Sequence, residues 1–528
     1  MTPKALGRRL WTEAREFSGI AGDATHLWPR WIVLRAIGAV FILVFAGIIG
    51  ASQAIVGPSG IVPLGNFFAA LERTHAGGLE MLCRAPTLFW LGSGQASIVI
   101  VEWLGMAAAI ALVLNLWPRM ALFACWLAFL SFVSTWSIFS GSIVDQLMLE
   151  VSLLCIPYAP GGLRPGLGAD RPPRPIAFFM VRWMLFRVMF ESGILKLATG
   201  DPYWRHFTVM KILYETAPFP TILAYIDHHL PQSYHVFEVG LTLAAEIPGP
   251  LLAVFWGRRG RWIALALWVV FQAGIQLTNN FGWLNTAAIA LGLVLLDDQM
   301  LTAAAERLGL RRLGAYFTRT AVRMPLRPST PWRIQGLRIA LSAHFLLTIY
   351  YFVTGWNDAV YGIPYAISGP IDYAWFFHSA NVYYPFGRMT PERYEVEFEG
   401  TNDQGATWRT YEYRFQPQRP DRICPFIAPW YARFDATLQI AVFAVPKSPV
   451  FPTIATEILS RNKDVIGQFR RDPFPDRPPT AIRMLVYRIS FTDYATLHRT
   501  GNYWNKEYEG DFLPPLYLDE HGNIAGGG

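Results

Sequence analysis

A chain of 528 residues that is 53% hydrophobic and only 16% charged cannot turn most of its surface to water, because soluble domains carry about 25% charged residues. Its 15% aromatic content excludes intrinsic disorder, and its four cysteines, with no Cys-x-x-Cys spacing, give no support to a zinc or thioredoxin-like site. The net charge of +7 requires no nucleic acid partner, since arginines on the cytoplasmic loops of a membrane protein produce the same total.

Residues 1–31 are polar and basic and read as a cytoplasmic N-terminal segment. The apolar run at 32–51 is long enough to be a retained first membrane helix rather than a cleaved signal. Further apolar stretches lie at 96–116, 120–138, 143–158, 176–198, 234–256, 262–278, 283–297 and 334–354. The expected fold is therefore a polytopic α-helical bundle of about nine transmembrane helices over 32–355, followed by a β-rich α+β extracytoplasmic domain over 356–528.

Loop charges orient the bundle. With the N-terminus in the cytoplasm, Arg119, Arg164, Arg171, Arg174, Arg258, Arg259, Arg261 and the Arg-rich segment 307–333 fall on the cytoplasmic side. The opposite loops hold few Lys or Arg. An odd number of spans then puts the C-terminal domain outside.

The stretch 176–198 is unusual, because Arg182, Arg187, Glu191 and Lys196 interrupt an apolar span. Arg187 and Glu191 are four apart on one helical face and can pair. Arg182 and Lys196 lie near the ends, where long side chains can snorkel. Glu150 and Glu246 are further partners for Arg187 or Lys196 inside the bundle. Ionisable groups at mid-membrane mark either a structural ion pair or a substrate or proton site, and the structural pair is the first expectation.

The outer loop 199–233 collects Asp201, Trp204, Arg205, His206, Tyr214, Glu215, His228 and His229. Its histidines match no metal-ligand spacing, so no metal is expected. Interfacial helices folded against the outer domain are the expectation instead. Cys83 and Cys424 both fall outside, which makes them a candidate disulfide between the first outer loop and the outer domain.

Beyond 390 the pattern changes. Residues 394–399 alternate apolar and acidic side chains at strand period, as do 408–415, and 481–490 is a later strand candidate. The link Thr401-Asn402-Asp403-Gln404-Gly405-Ala406-Thr407-Trp408 resembles an Asp-box hairpin, in which a carboxylate caps the turn and Gly supplies a positive φ. Residues 434–446 and 451–461 read as short amphipathic helices. The aromatics Trp375, Phe376, Phe377, Trp430 and Tyr431 are a candidate client surface, with packing at the membrane interface as the alternative. Neither a Gly-x-Ser-x-Gly elbow, a Walker loop nor a dinucleotide fingerprint stands in a convincing context. No catalytic residue is assigned, no cofactor is expected, and the residues point away from an enzyme more than toward one.

Together these residues resemble a known family. The strongest stretch runs from Trp183 through Phe186-Arg187 and Ser192-Gly193-Ile194-Leu195-Lys196 to Asp201-Pro202-Tyr203-Trp204, then Tyr214-Glu215-Thr216 and His228-His229-Leu230-Pro231. It continues in Asn279-Asn280-Phe281-Gly282, in Leu295-Leu296-Asp297-Asp298, in Tyr384, Phe386, Gly387, Met389 and Thr390, in Arg393-Tyr394-Glu395, and in Asp472-Pro473-Phe474. The chain resembles the lipase maturation factors over most of its length, as a bacterial-looking member. The resemblance implies a membrane chaperone whose animal relatives work in the endoplasmic reticulum on secreted lipases, including lipoprotein lipase. The partners implied are the lipid bilayer and an exported lipase or hydrolase. A bacterial member would sit in the inner membrane with its C-terminal domain in the periplasm. The alternative is a membrane-embedded enzyme acting on a lipid-soluble substrate, since the bundle distantly resembles that of vitamin K-dependent carboxylases. A transporter would require two symmetric halves, which are not seen.

Overall fold

The computed structural model describes residues 2–74, 78–140, 143–322, 324, 330–354, 371, 373–444, 447–519 and 524–526. The domain boundary expected at 355–356 lies outside the described residues.

Every apolar stretch anticipated from the sequence is helical. The helices are α1 (Leu27–Val56), α2 (Gln95–Val113), α3 (Pro118–Val133), α4 (Ile143–Tyr158), α5 (Pro175–Ala198), α6 (Gln232–Glu246, resumed as Pro248–Phe255), α7 (Gly257–Asn279), α8 (Trp283–Gly292) and α9 (Pro331–Thr354). At 1.5 Å per residue the 30 residues of α1 reach about 45 Å, beyond the roughly 30 Å of a bilayer's hydrocarbon core, whereas the 16 residues of α3 or α4 reach only about 24 Å. Among the described residues, five helices are long and apolar enough to cross a membrane: α1, α2, α6 with its continuation, α7 and α9. A sixth is counted if Trp283–Leu295 and Asp298–Arg307, bent by 103°, form one broken span. The expected nine spans thus resolve into a helical membrane region with five or six spans on length and composition. Short α3 and α4 and charge-bearing α5 occupy its interior.

The ends of the bundle are tied by acidic caps. The Asp298 carboxylate accepts from the first backbone N–H groups of α1, Leu27 at 3.0 Å and Trp28 at 2.8 Å. Asp297 caps its own helix through Met300 N at 2.8 Å and pairs with Arg258 at 2.8 Å. Carboxylates there complement the orphan N–H groups and the positive end of the helix dipole.

The C-terminal domain is a five-stranded antiparallel sheet in the order β2-β1-β3-β4-β5, with β1 Arg393–Thr401, β2 Arg409–Tyr411, β3 Ala481–Phe491, β4 Trp504–Leu518 and β5 Ile524–Gly526. Two helices, α10 (Arg433–Ala441) and α11 (Val450–Leu459), cover one face. Val396, Phe398, Ile482 and Met484 of β1 and β3 meet Phe451, Ile454 and Ile458 of α11 there, within one hydrophobic core that continues into the bundle. The hairpin at 401–408 forms as expected. The Asp403 carboxylate accepts from Thr407 N at 2.9 Å and from the Thr401 hydroxyl at 2.7 Å, and Gly405 has φ +88°. The second strand is shorter than its alternation suggested. The chain leaves the ladder after Tyr411, and Tyr413 N donates instead to Gln418 Oε1 at 2.8 Å.

The acidic side of β1 is buried rather than solvated. Glu395 pairs with Arg393, and Glu397 with Lys506. Burial pushes both carboxyls up to about 7, against the pull of those cations, and burial also pushes Asp435 of α10 up to about 7. The folded state therefore holds these protons more tightly than the unfolded chain, whose carboxyls titrate near 4–4.5. Their contribution to stability is greatest below that range and falls as pH rises toward 7. Thermal unfolding of the full chain in detergent should come at least about 2 °C higher at about pH 5.5 than at about pH 8. Glu397→Gln should flatten that slope.

Candidate functional site

The charged residues of α5 converge on one feature, a strap of chain at 381–389 that leads from the bundle into β1. Arg187 pairs with Glu150 of α4, and its Nη1 donates to the Asn381 carbonyl at 2.8 Å. The second oxygen of Glu150 accepts from Asn381 N at 3.0 Å, Asn381 Nδ2 at 3.1 Å and the Tyr383 hydroxyl at 2.8 Å. Glu191 accepts from Tyr383 N at 3.0 Å, and Ser192 Oγ donates to the Tyr383 carbonyl at 3.2 Å. Further along, Trp204 Nε1 donates to Phe386 O at 2.8 Å and Thr199 Oγ1 to Gly387 O at 2.7 Å. Asp201 caps the turn Pro202–Arg205 with one oxygen and accepts from Met389 N at 2.9 Å with the other. Successive motif residues thus grip successive strap residues. The reason is elementary: a segment outside helix and ladder must satisfy each N–H and C=O some other way.

The pairing differs in part from expectation. Arg187 and Glu191 lie 3.8 Å apart, yet the close partner of Arg187 is Glu150 of α4, while Glu191 accepts from the Tyr383 backbone N–H. Lys196 pairs with Glu246 of α6 at 2.7 Å. Neither Arg182 nor Lys196 snorkels, since both are buried. Arg182 donates to the carbonyls of Val294 and Phe17, each at 2.9 Å, and stacks 4.1 Å over Phe178. These ion pairs are closed on one another, the arrangement of a structural clamp.

The 199–233 segment does fold as short helices, Pro202–Arg205, Val209–Thr216 and Ile222–His228, packed against the C-terminal domain. Glu215 accepts from Phe491 N at 3.0 Å, and Tyr225 donates to Thr492 O at 2.9 Å. Arg393 reaches the Pro218 carbonyl at 3.1 Å. Tyr214 donates to Glu238 of α6. Arg205 and His206 are exposed, His228 bonds Lys211 O at 3.1 Å and His229 bonds Tyr225 O at 2.7 Å. Burial pushes His228 down to about 4. No group of three His, Cys, Asp or Glu among the described residues is arranged to hold a metal ion.

Two further clamps use residues that sequence reasoning did not place. Asn280, at the turn after α7, accepts from Ile427 N and Ala428 N, each at 3.0 Å, and donates to Pro425 O at 2.9 Å. Arg433 of α10 makes a two-pronged pair with Asp145 of α4 at 2.8 and 2.6 Å, and stacks 4.6 Å from Trp136. Asn280 stood out only within the family-like run Asn279-Asn280-Phe281-Gly282, and nothing local marks Arg433, whose partner lies 288 residues away.

Two expectations are corrected. Cys83 and Cys424 are free thiols: Cys424 is buried beside Asn280, while Cys83 sits in the short helix Leu79–Arg84. The candidate client aromatics do not form one exposed patch. Trp375 is 44% exposed, Phe376, Phe377 and Trp430 are half-buried, and Tyr431 is buried edge-on to Trp283. Tyr431 packs so close to Gly282 that a Cβ there would lie 2.5 Å from the Tyr431 Cβ.

Comparison with known proteins places this architecture. The chain is 26% identical over 525 residues to lipase maturation factor 1 of Homo sapiens, covering 95% of this chain and 91% of that protein. It is 27% identical over 604 residues to lipase maturation factor 2 of Rattus norvegicus, covering 93% and 83%. No solved structure matches. Residues 28–303 match the lipase maturation factor transmembrane domain and residues 379–514 the lipase maturation factor C-terminal domain. With bundle and sheet domain both accounted for, and the strap at their junction, the chain belongs to the lipase maturation factor family.

Proposed function

We propose that the chain is a membrane-anchored maturation factor that brings an exported lipase or related hydrolase to its active fold. The observation that carries this reading is the clamp. Three separate sets of buried contacts fix the sheet domain to the bundle, as a factor presenting a rigid surface to a client at the membrane requires. Full-length likeness to proteins named for lipase maturation supports it. In this reading all of α1 to α9 count as spans, with 1–31 cytoplasmic, 32–355 in the membrane and 356–528 outside. The run of arginines on alternate loops supports that orientation. The outside is the periplasm in a bacterial inner membrane and the lumen in an endoplasmic reticulum.

The test is disruption of the gene in its host, with comparison of exported hydrolase activities and their transcripts. One active exported lipase should disappear at unchanged transcript and return with the full chain. An unchanged set of exported activities would refute the reading.

Client contact is assigned to Trp375, the exposed member of the aromatic set, with its half-buried neighbours Phe376 and Phe377. Trp375→Ser should lower the active lipase several-fold while leaving the amount of the factor in the membrane unchanged. Quantitative blotting beside a lipase assay measures both.

A further inference from the structure

A cavity of about 490 Å³ lies between α6 and α7, with α5 and α8 behind it. Its size is within the roughly 300–1,000 Å³ of small-molecule sites. Phe237 and Val270, at its edge, are 63% and 56% exposed on the apolar surfaces of two helices able to cross a membrane. Gly274 of α7 also lines the cavity, and an added Cβ there would meet nothing within 4 Å. The cavity is therefore reached sideways, from the hydrocarbon of a bilayer.

Its walls are largely apolar, and the few polar groups are informative. Lys196 and Glu246 neutralise each other at 2.7 Å. Glu238 accepts from the Tyr214 hydroxyl and lies 2.9 Å from His235 Nδ1. Asn285 donates to Gln272 at 2.6 Å, yet its amide oxygen has no hydrogen-bond partner among the described residues. Asn279 is fully buried, and neither its amide nitrogen nor its amide oxygen has a partner among them. Burying such a group unsatisfied costs about 1–3 kcal/mol. A ligand offering one hydroxyl and one ester carbonyl would satisfy it.

We propose that this cavity binds an uncharged glycerolipid of the bilayer, of the diacylglycerol or monoacylglycerol kind. Its glycerol hydroxyl and ester lie against Asn279 and Asn285, and an acyl chain lies along Leu241 and Phe271. Charge selects the neutral class. Tyrosines aside, the ionisable side chains lining the cavity are Lys196, already paired, and the three carboxyl groups of Asp227, Glu238 and Glu246. A phosphate headgroup would meet net negative charge and no open cation. Tyr383 and Phe386 of the strap also line the cavity, so the lipid touches the segment that carries the C-terminal domain.

The test uses the full chain in phosphatidylcholine vesicles with a diacylglycerol bearing a photoreactive acyl chain, and label mapped by mass spectrometry. Label is expected on α6 and α7 around Leu241, Phe271 and Ile275. It should be competed by unlabelled diacylglycerol and not by phosphatidylglycerol or a cationic amphiphile. Gly274→Trp, an indole at the mouth, should cut labelling about tenfold or more. Asn279→Leu should cut it several-fold while leaving the unfolding temperature in lipid-free detergent equal or higher, because an amide waiting for a ligand contributes no fold stability. Undiminished label in both variants, or equal competition by a charged lipid, overturns the assignment. So does a destabilised Asn279→Leu, which would make that amide a structural group.

Discussion

Replacing Arg187 by Met should cost about 3–5 kcal/mol, enough to remove most folded protein from the membrane, because it strands two buried carboxylates. Glu150 and Glu191 are both almost wholly buried beside the guanidinium, and Asn381 O loses its donor at the same stroke. The measurement is the yield of monodisperse protein by size-exclusion chromatography together with unfolding in detergent. The double variant Arg187→Met with Glu150→Gln separates the ion pair from the strap. The neutral amide oxygen that Glu150→Gln introduces still accepts from Asn381 and Tyr383, so part of the loss should return, with a coupling of at least about 1 kcal/mol. Strict additivity would show that Arg187 acts through something other than Glu150. Lipase maturation should fall in step with the folded fraction, since the strap holds the domain assigned to the client.

Arg433→Met should loosen the C-terminal domain from the bundle, at a cost of about 3 kcal/mol or more. Its guanidinium bridges α10 to α4 through both oxygens of Asp145 and also donates to Phe139 O at 2.7 Å. The bundle keeps its own packing, so the expected signature is local: faster proteolysis of 390–519 with the helices still protected. Asp145→Asn in the same chain should slow that proteolysis again by removing the stranded charge. Uniform loss of both regions would mean that the two fold as one cooperative unit, in keeping with the hydrophobic core they share.

The helices were legible because hydrophobic length is a local property. The runs at 32–51 and 262–278 lie within Leu27–Val56 and Gly257–Asn279. Glu246 was legible as a partner for Arg187 or Lys196, since a buried charge in an apolar span demands a counter-charge from the few available, but which of the two it meets was not. Strand β4 was not. Trp504–Leu518 carries Lys506, Glu507, Glu509, Asp511 and two prolines, and beyond the regular pairs from Tyr487 to Phe491 it follows β3 through register shifts between Ile482 and Tyr487. Tertiary pairing overrode a sequence with little strand pattern.

By itself the sequence determined the class of molecule, the positions of the apolar helices, the Asp403 hairpin, the family and the presence of ionisable groups inside the apolar span of α5. Period, hydropathy and turn chemistry act over a few residues, and those features need nothing more. Only the tertiary structure decided which carboxylate Arg187 meets, that Asn381 to Met389 is the object the motif residues hold, that Cys83 and Cys424 stay apart, and that Tyr431 is packed away while Trp375 is not. These outcomes join groups on different elements, from Arg187 with Glu150, 37 residues apart, to Asp201 with Met389, 188 apart. Contacts at that separation are chosen by how helices and sheet pack, and no local pattern records them.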